Sequence, residues 1–284
     1  MQTKLLILLA ALCSVVLAQV NPRDRADWNR PVQPFRIIGN LYYVGVAGVS
    51  SFLITTPKGD LLLDGGFPET APLIEKNIAA LGFHVNDVKF LLNSHAHYDH
   101  CGGLTELKKV SGAQMVASDG DTSKAGRVRR LDCSDRQHSF EPVAVDRVVV
   151  DGETVRLGDT VLTAHVTPGH TAGCTTWSTE TTEQGRTYRV VFYCSTTVAG
   201  NRLVGNRARR GIVAEYEASF AKLKAIRCDV FLAPHGGFFR LDEKRAALAA
   251  GRRDAFVDPA EMARHVAESE RAFREELQRQ KAAR

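Results

Sequence analysis

The sequence predicts an α/β fold, arranged as a single domain with two similar halves. Short apolar runs rich in β-branched and aromatic residues, typical of strands, alternate with segments whose apolar residues recur at helical spacing. This alternation occurs twice along the chain, and no low-complexity linker divides residues 19–284. A sheet backed by helices in each half buries the apolar sides of both kinds of element.

The first half begins with strand-like runs separated by turn residues. A glycine pair, Gly65-Gly66, ends the third run, and Gly82 ends the first segment with helical spacing. A five-residue apolar run between the two helical segments indicates a buried strand. Three strands, a helix, a strand and a second helix are predicted, in that order, at residues 41–46, 51–55, 61–64, 72–81, 88–92 and 104–110.

The second half repeats the pattern and ends in a long helix. Asp258, Pro259 and Glu261 predict its start, as an N-cap, a first-turn proline and a capping-box acid. The helix has one apolar face and is otherwise charged, as expected of an amphipathic surface helix. Three strands, a helix and a fourth strand are predicted before it at residues 145–150, 161–166, 188–193, 215–226 and 230–233.

Residues 1–18 are predicted to be a secretory signal peptide. A short positively charged start precedes the apolar run Leu5–Ala18, which ends in small residues before Gln19. A membrane-spanning helix needs about 20 apolar residues, so an uncleaved anchor is the less favoured alternative. We expect residues 19–284 to be exported to the periplasm as a monomer that is not held in the membrane, in an environment where disulfides persist.

The overall composition excludes some functions. The 284 residues are 44% hydrophobic and 24% charged, which is ordinary for a globular protein. A net charge of +5 is too small and too dispersed to indicate nucleic-acid binding. Two basic clusters, Arg127–Arg130 and Arg207–Arg210, are interpreted as solvated loops, with the steering of an anionic ligand as the alternative.

Four metal-binding residue types lie within six positions, at His95, His97, Asp99 and His100. They follow a predicted strand directly and precede a predicted helix. Residues two apart in an extended segment point to the same side, so His95 and His97 can reach one ion. A following turn can direct Asp99 and His100 to a neighbouring point. Closed structural zinc sites usually contain paired cysteines, so an open metal site is favoured here.

Two further histidines lie in loops where such a site could be completed. His170 follows Pro168-Gly169, and His235 precedes Gly236-Gly237, each just after a predicted strand. Taken alone, either could be a loop histidine without a function. The remaining histidines match no pattern and are interpreted as structural or surface residues: His84, His138, His165 and His265.

The motif His-Ala-His-Tyr-Asp-His at residues 95–100, together with the two later histidines, resembles the metallo-β-lactamase superfamily. The resemblance covers nearly all of residues 19–284 and implies an αββα sandwich with metal at the sheet edges. It implies two Zn²⁺ ions per chain. The first would be held by His95, His97 and His170, and the second by Asp99, His100 and His235.

The branch of the superfamily is indicated by a missing acid. Thioesterase, lactonase and phosphodiesterase-like members generally place a bridging aspartate on a strand that here ends near Tyr193-Cys194-Ser195. No Asp or Glu occurs between Gly185 and Ile212. Ser195 together with His100 resembles subclass 3 of the class B β-lactamases, and the segment from Thr196 to Asn206 is also similar to that subclass.

The resemblance implies hydrolysis of the β-lactam ring of carbapenems, cephalosporins and penicillins, and hence antibiotic resistance. Zinc-bound hydroxide, oriented by Asp99 as the catalytic residue, would attack the carbonyl carbon. Ser195 and Thr197 would bind the substrate carboxylate or a zinc-bound water. Asn201 lies where some members carry a substrate-contacting tyrosine, and an amide there could still donate a hydrogen bond.

Cys194 is a rival zinc ligand because it is adjacent to Ser195. Neighbouring residues in an extended strand face opposite ways, so the two side chains should not both face the metal. If Ser195 lines the site, Cys194 could form a disulfide with Cys174, with a free buried thiol as the alternative. The other cysteines outside the leader allow several pairings: Cys101, Cys133 and Cys228.

Two alternative functions remain open at this point. One is another exported hydrolase on the same scaffold, such as a lactonase or a thioesterase, which the missing bridging aspartate disfavours. The other is a zinc-binding protein without activity. Six ligands divided between two ions leave room for water, which favours an enzyme acting on a small molecule.

Overall fold

The computed structural model describes residues 22–123, 126–128 and 140–283. The predicted signal peptide at residues 1–18 lies outside these ranges and stays a prediction. Cys133, His138 and two residues of the basic cluster Arg127–Arg130, namely Arg129 and Arg130, also lie outside these ranges. None of the described helices combines the length and the apolar character that a membrane span requires.

Among the described residues, the first part of the chain contains four α-helices and nine short strands. They are α1 (Pro22–Trp28), β1 (Phe35–Ile38), β2 (Leu41–Tyr43), β3 (Phe52–Thr56), β4 (Gly59–Leu63), α2 (Ala71–Ala80), β5 (Val88–Leu92), α3 (Tyr98–Cys101), α4 (Leu104–Ser111), β6 (Gln114–Ser118), β7 (Arg127–Val128), β8 (Val143–Ala144) and β9 (Arg147–Val149).

The second part contains five strands and three helices. They are β10 (Thr154–Leu157), β11 (Thr160–Val166), β12 (Thr175–Glu183), β13 (Arg186–Phe192), α5 (Ile212–Ala225), β14 (Val230–Leu232), α6 (Leu241–Ala249) and α7 (Glu261–Ala282).

Two mixed sheets form the centre of the fold. The first has seven strands in the order β1-β2-β3-β4-β5-β6-β9, and the second has five in the order β10-β11-β12-β13-β14. In each sheet, antiparallel strands lead into a parallel crossover through a helix, β4-α2-β5 in the first and β13-α5-β14 in the second. The predicted α/β fold with two similar halves is therefore confirmed.

Strand β4 shows why the layers stack as a sandwich. Leu61 and Leu63 belong to the apolar core shared with the second sheet, which includes Trp177. Leu62, on the opposite face, belongs to a second core with Ile74 of helix α2. A strand that is buried on both faces has a continuous apolar run, as this one does. The αββα arrangement of the layers is confirmed.

Most of the predicted elements appear with shifted ends. The apolar run 41–46 is a strand only to Tyr43, because the chain then turns tightly. A Cβ atom at Gly45 would come within 2.5 Å of the Ser51 amide nitrogen, so this turn requires glycine. Strand β12, a nine-residue strand rich in threonine, was not predicted. Its Thr residues are β-branched, and this run of β-branched residues around Trp177 was the usable pattern.

The start of the last helix differs from the prediction. Helix α7 begins at Glu261 with Ala260 at its N-cap. Asp258 Oδ1 accepts a hydrogen bond from the Ala260 amide and so forms a turn before the helix, with Pro259 inside that turn. Glu261 does not act as a capping-box acid, because it is buried in an ion pair with Lys244 of α6.

Candidate metal centre

The predicted metal ligands all follow the carboxyl ends of strands. The 95–100 motif comes three residues after β5 ends at Leu92, and its second half forms the short helix α3. His170 lies in the loop between β11 and β12, and His235 follows β14 by three residues. These strands belong to both sheets, so the two halves of the fold meet at this edge.

The first group consists of His95, His97 and His170. One potential ligand atom from each lies within 4.8 Å of the others. The Nε2 atoms of His95 and His170 are 3.2 Å apart. Both residues are buried, whereas His97 is half-buried. The structure therefore brings together the three residues predicted for the first zinc.

The second group consists of Asp99, His100 and His235, again with one potential ligand atom each within 4.8 Å of the others. Asp99 Oδ2 lies 3.2 Å from His100 Nε2 and 3.6 Å from His235 Nε2. The ring centroids of His95 and His100 are 4.3 Å apart, so the two groups are adjacent.

Hydrogen bonds orient three of the imidazoles. His170 donates its Nδ1–H to the Thr197 carbonyl oxygen at 2.8 Å, and His235 donates its own to the Gly48 carbonyl oxygen at 3.1 Å. His95 Nδ1 lies 2.9 Å from Ser94 Oγ, whose own proton goes to a carboxylate. Each of these rings therefore presents an Nε2 lone pair to the site.

Burial lowers the pKa of His95, His170 and His235 and so keeps these three imidazoles in the neutral form that binds metal. Burial alone would also lower the pKa of His100, but the adjacent Asp99 carboxylate raises it. Burial, aided by His97, lowers the pKa of His170 to about 3. Burial, aided by His100, lowers the pKa of His235 to about 4. Burial alone would raise the pKa of Asp99, but the His100 and His235 rings hold it well below its usual range.

The donor set fits a pair of divalent cations. Two Nε2 lone pairs 3.2 Å apart, with both protons on the opposite nitrogens, repel each other unless a cation lies between the rings. Imidazole and carboxylate are the ligands that zinc accepts, and three protein ligands per ion leave a position open for water or substrate. The residues present thus match the predicted metal.

Comparison with known proteins agrees with this geometry. The sequence profile of the Metallo-beta-lactamase superfamily matches residues 44–235, which include both groups of ligands. The chain belongs to the metallo-β-lactamase superfamily. As a metallo-β-lactamase family member with this site, it is a zinc-dependent hydrolase.

Solved structures of the superfamily cover almost the whole domain. BJP-1, a subclass B3 metallo-β-lactamase of Bradyrhizobium japonicum, is 41% identical with a TM-score of 0.83, over 90% of this chain and 98% of that one. FEZ-1 from Legionella gormanii is 40% identical with a TM-score of 0.86, over 89% and 98%. The recognition of subclass 3 is confirmed.

A third relative differs in its motif. A metallo-β-lactamase from Cronobacter sakazakii, described by a HARLDQ motif, is 39% identical with a TM-score of 0.85, over 91% of this chain and 99% of that one. The motif in this chain reads HAHYDH, which shares the first His-Ala and the Asp. The present sequence therefore carries two more imidazoles than that motif.

Curated relatives match much less of the chain. Hydroxyacylglutathione hydrolase from Rhodospirillum rubrum is 31% identical over 86 residues, 30% of this chain and 27% of that protein. The protein of that name from a Bradyrhizobium strain is 28% identical over 120 residues, 42% and 39% of the two chains. The chain thus spans well under half the length of these curated relatives.

Asp64, a buried acid beneath the candidate metal centre, was not predicted from the sequence. Asp64 Oδ1 and Oδ2 accept hydrogen bonds from the Ser94 amide at 2.6 Å and the Ser94 hydroxyl at 2.7 Å. Its Oδ2 lies 3.7 Å from His100 Nδ1, and its φ of 63° is left-handed. Asp64 therefore positions the motif through Ser94. An acid directly after an apolar strand and before Gly65 was the usable pattern.

Asp121, a second buried acid that was not predicted, links three loops through hydrogen bonds. It is 2% exposed, and its Oδ1 and Oδ2 accept hydrogen bonds from the Gly173 amide and from Asn93 Nδ2, both at 3.1 Å. Burial raises its pKa to about 6. Nothing in the local sequence around Asp121 indicated this role, because its partners lie 28 and 52 residues away.

The predicted substrate contacts lie against the His170 loop. Ser195 is 3% exposed, and its Oγ lies 3.1 Å from Thr197 Oγ1, which in turn lies 3.1 Å from His170 Nδ1. Asn201 Nδ2 donates to the His170 carbonyl oxygen at 3.0 Å and lies 3.3 Å from the Tyr216 hydroxyl. Thr197 and Asn201 thus contact His170 directly, and Ser195 contacts Thr197. The contact of these side chains with substrate stays a prediction.

The arm before the first sheet reaches the site. The ring centroids of Trp28 and His235 are 5.0 Å apart. Gly48 donates its amide hydrogen to the Trp28 carbonyl oxygen at 2.8 Å. Trp28 therefore packs on both His235 and the loop that orients it.

The predicted disulfide between Cys174 and Cys194 is present. Cys194 therefore does not act as a zinc ligand, while Ser195 faces the His170 loop. The bond joins the start of β12 to the segment after β13 across 20 residues. Among the described cysteines, Cys101 and Cys228 are free and buried.

We expect the double variant Cys174→Ser/Cys194→Ser to lower the free energy of unfolding by about 3 kcal/mol, because the unfolded chain regains the entropy of an open loop. At this size the melting temperature should fall by about 6–12 °C, measured by circular dichroism. Cys228→Ala, which removes a buried sulfur without opening a crosslink, should have a smaller effect. Titration of five free thiols in denatured residues 19–284 would show the bond to be absent.

Proposed function

We propose that this protein is an exported di-zinc β-lactamase that opens the ring of carbapenems, cephalosporins and penicillins. The observation that carries the proposal is the pair of adjacent three-residue groups, five histidines and one aspartate, with no acid between residues 185 and 212. The likeness to subclass B3 structures over some 98% of their length supports it. Such an enzyme in the periplasm would confer antibiotic resistance.

The two groups would each hold one zinc. His95, His97 and His170 would bind the first ion, and Asp99, His100 and His235 the second. Bound zinc supplies a Lewis acid for the carbonyl oxygen and lowers the pKa of a water to about 7. No side chain is needed as a covalent nucleophile.

Three side chains of this protein have different roles in the proposed reaction. Asp99 is 7% exposed and its pKa is held well below its usual range, so its carboxylate stays ionised and can accept a hydrogen bond that holds the attacking water in line. The hydroxyl of Thr197 is half-exposed beside His170 and can donate to the substrate carboxylate. Ser195, in contrast, mainly orients Thr197, whose amide donates to the Ser195 hydroxyl at 3.2 Å.

A thioesterase is the second candidate, because the curated relatives named hydroxyacylglutathione hydrolase match part of the chain. Those matches cover 27% and 39% of the relatives. The bridging aspartate typical of the thioesterase branch would lie at the end of β13. At that point this chain has Cys194, which is in a disulfide, and Ser195. A carboxylate shared by two ions is not available there, which favours the β-lactamase.

One substrate panel separates the candidates. The zinc-loaded enzyme should hydrolyse a carbapenem, a cephalosporin and benzylpenicillin, but neither an acyl-homoserine lactone nor a glutathione thioester at a comparable kcat/KM. Dialysis against a chelator should abolish β-lactam turnover, and added Zn²⁺ should restore it. Turnover of the thioester alone would reverse the assignment.

A further inference from the structure

A cavity of about 390 Å³ opens beside the first group of histidines. Its walls include Ala96, which lies between His95 and His97, and Thr171, which follows His170. The opposite wall is the loop 200–209, including Arg202 and Arg209. A substrate that reaches the metal ligands would therefore have part of its structure next to this cavity.

The loop that forms this wall is strongly cationic. Residues 200–210 contain four arginines and no acid. Arg209 pairs with Glu215 and donates Nη1 to the Gly169 carbonyl oxygen at 3.0 Å, so its charge is largely compensated. Arg202 is exposed, and within the described residues no carboxylate pairs with it. Arg202 is therefore the uncompensated charge on the wall of the cavity.

The backbone around Arg202 is held in place from both sides. Gln280 of α7 donates Nε2 to the Asn201 carbonyl oxygen at 3.0 Å and accepts the Leu203 amide at 2.7 Å. Arg202 Nε donates to the Val204 carbonyl oxygen at 3.0 Å, which leaves the two terminal nitrogens of the guanidinium for a ligand. A positioned guanidinium loses less side-chain entropy on binding than a free one.

One acid faces the same cavity. Asp121 lines it, but this residue is 2% exposed, and both of its carboxylate oxygens already accept hydrogen bonds from Gly173 and Asn93. Its carboxylate is thus buried behind the cavity wall, and these hydrogen bonds partly compensate its negative charge. The exposed charge that a ligand would meet is that of Arg202.

We propose that this cavity is a subsite for a second anionic group, a carboxylate carried on the acyl side chain of the substrate. The inference rests on the proposed β-lactamase function and specifies a preferred substrate class, the doubly anionic β-lactams.

Two penicillins that differ by one carboxylate test the subsite. Carbenicillin is benzylpenicillin with a carboxylate on the side-chain α carbon, so the ratio of their kcat/KM values isolates that group. In Arg202→Ala the carbenicillin-to-benzylpenicillin ratio should fall about fivefold, the scale of one partly exposed ion pair, mainly through KM. Raising the salt from 0.05 to 0.5 M should lower the wild-type ratio in the same direction.

Arg210→Ala is the matched control, because Arg210 is an exposed arginine of the same loop that does not line the cavity. It should leave the ratio within about twofold of wild type. Equal losses in both variants, or no loss in Arg202→Ala, would overturn the subsite.

Failure of the proposed function has a different signature. If the zinc-loaded protein hydrolyses neither penicillin, both compounds stay intact during the measurement. Calorimetry can then give the Kd of each penicillin for wild type, for Arg202→Ala and for Arg210→Ala. Tighter binding of carbenicillin that depends on Arg202 alone would uphold the subsite in a protein of another activity. Equal Kd values for the two penicillins would reject it.

Discussion

Replacing Asp99 with asparagine is expected to lower kcat for β-lactam hydrolysis by about 10²–10³-fold, the loss that follows when one positioned polar group at a reacting centre is removed. The amide keeps the size of the side chain but removes the only negative charge among the six predicted ligands. It also replaces the ionised oxygen that would accept a hydrogen bond from the attacking water. Steady-state kinetics with a carbapenem at saturating zinc measures the loss.

The metal content of Asp99→Asn separates the two proposed roles of Asp99, which are binding the second zinc and orienting the attacking water. Asp99 lies 3.2 Å from His100 Nε2, so its loss should also weaken the second metal, and elemental analysis should find about one zinc per chain. Asp119→Asn, at an exposed residue of a nearby loop, is the control and should keep wild-type activity. An Asp99→Asn enzyme with two zinc ions and undiminished kcat would refute both assignments.

Replacing Glu261 with glutamine is expected to destabilise the protein by about 3–5 kcal/mol, because it leaves the Lys244 ammonium buried without its counter-charge. The two side chains are 6% and 3% exposed, and Lys244 also lies over the rings of Phe239 and Phe256 at 5.6 and 5.4 Å. Burial lowers the pKa of Lys244, which Glu261 partly offsets. Urea unfolding followed by fluorescence measures the change.

The double variant Lys244→Met/Glu261→Leu tests the cause. Removing both charges also removes the cost of burying either one, so its stability should return to near that of wild type. Glu106→Gln, which breaks the exposed pair with Lys109, should cost less than about 1 kcal/mol. If the double variant is as unstable as Glu261→Gln, packing rather than the unpaired charge is responsible.

Much of the fold could be predicted from local patterns. Helix α4 and strand β5 appear close to their predicted bounds, because apolar spacing and a glycine after the helix are local properties. Strand β12 was missed because its threonines are polar by composition, and their burial depends on both neighbouring strands. The start of α7 was misplaced because Glu261 forms an ion pair with Lys244 of α6, and no local sequence pattern indicates that contact.

The candidate site was predicted more completely than the elements that support it. His95, His97, Asp99 and His100 are adjacent in sequence, so their clustering was visible before any fold was known. His170 and His235 could be added through the resemblance to a family. In contrast, Asp64 and Asp121 act on the site from 30 and 28 residues away, through Ser94 and Asn93.

The sequence by itself therefore determined the type of fold, the metal-binding chemistry and the family, because strand patterns and a six-residue motif are local. Only the tertiary structure decided which side chains orient the histidines, where Cys194 points and which arginine faces the cavity. The physical reason is that these relations depend on distances between loops from different strands. His100 and His235, 135 residues apart, meet at 3.3 Å only because both sheets end at one edge.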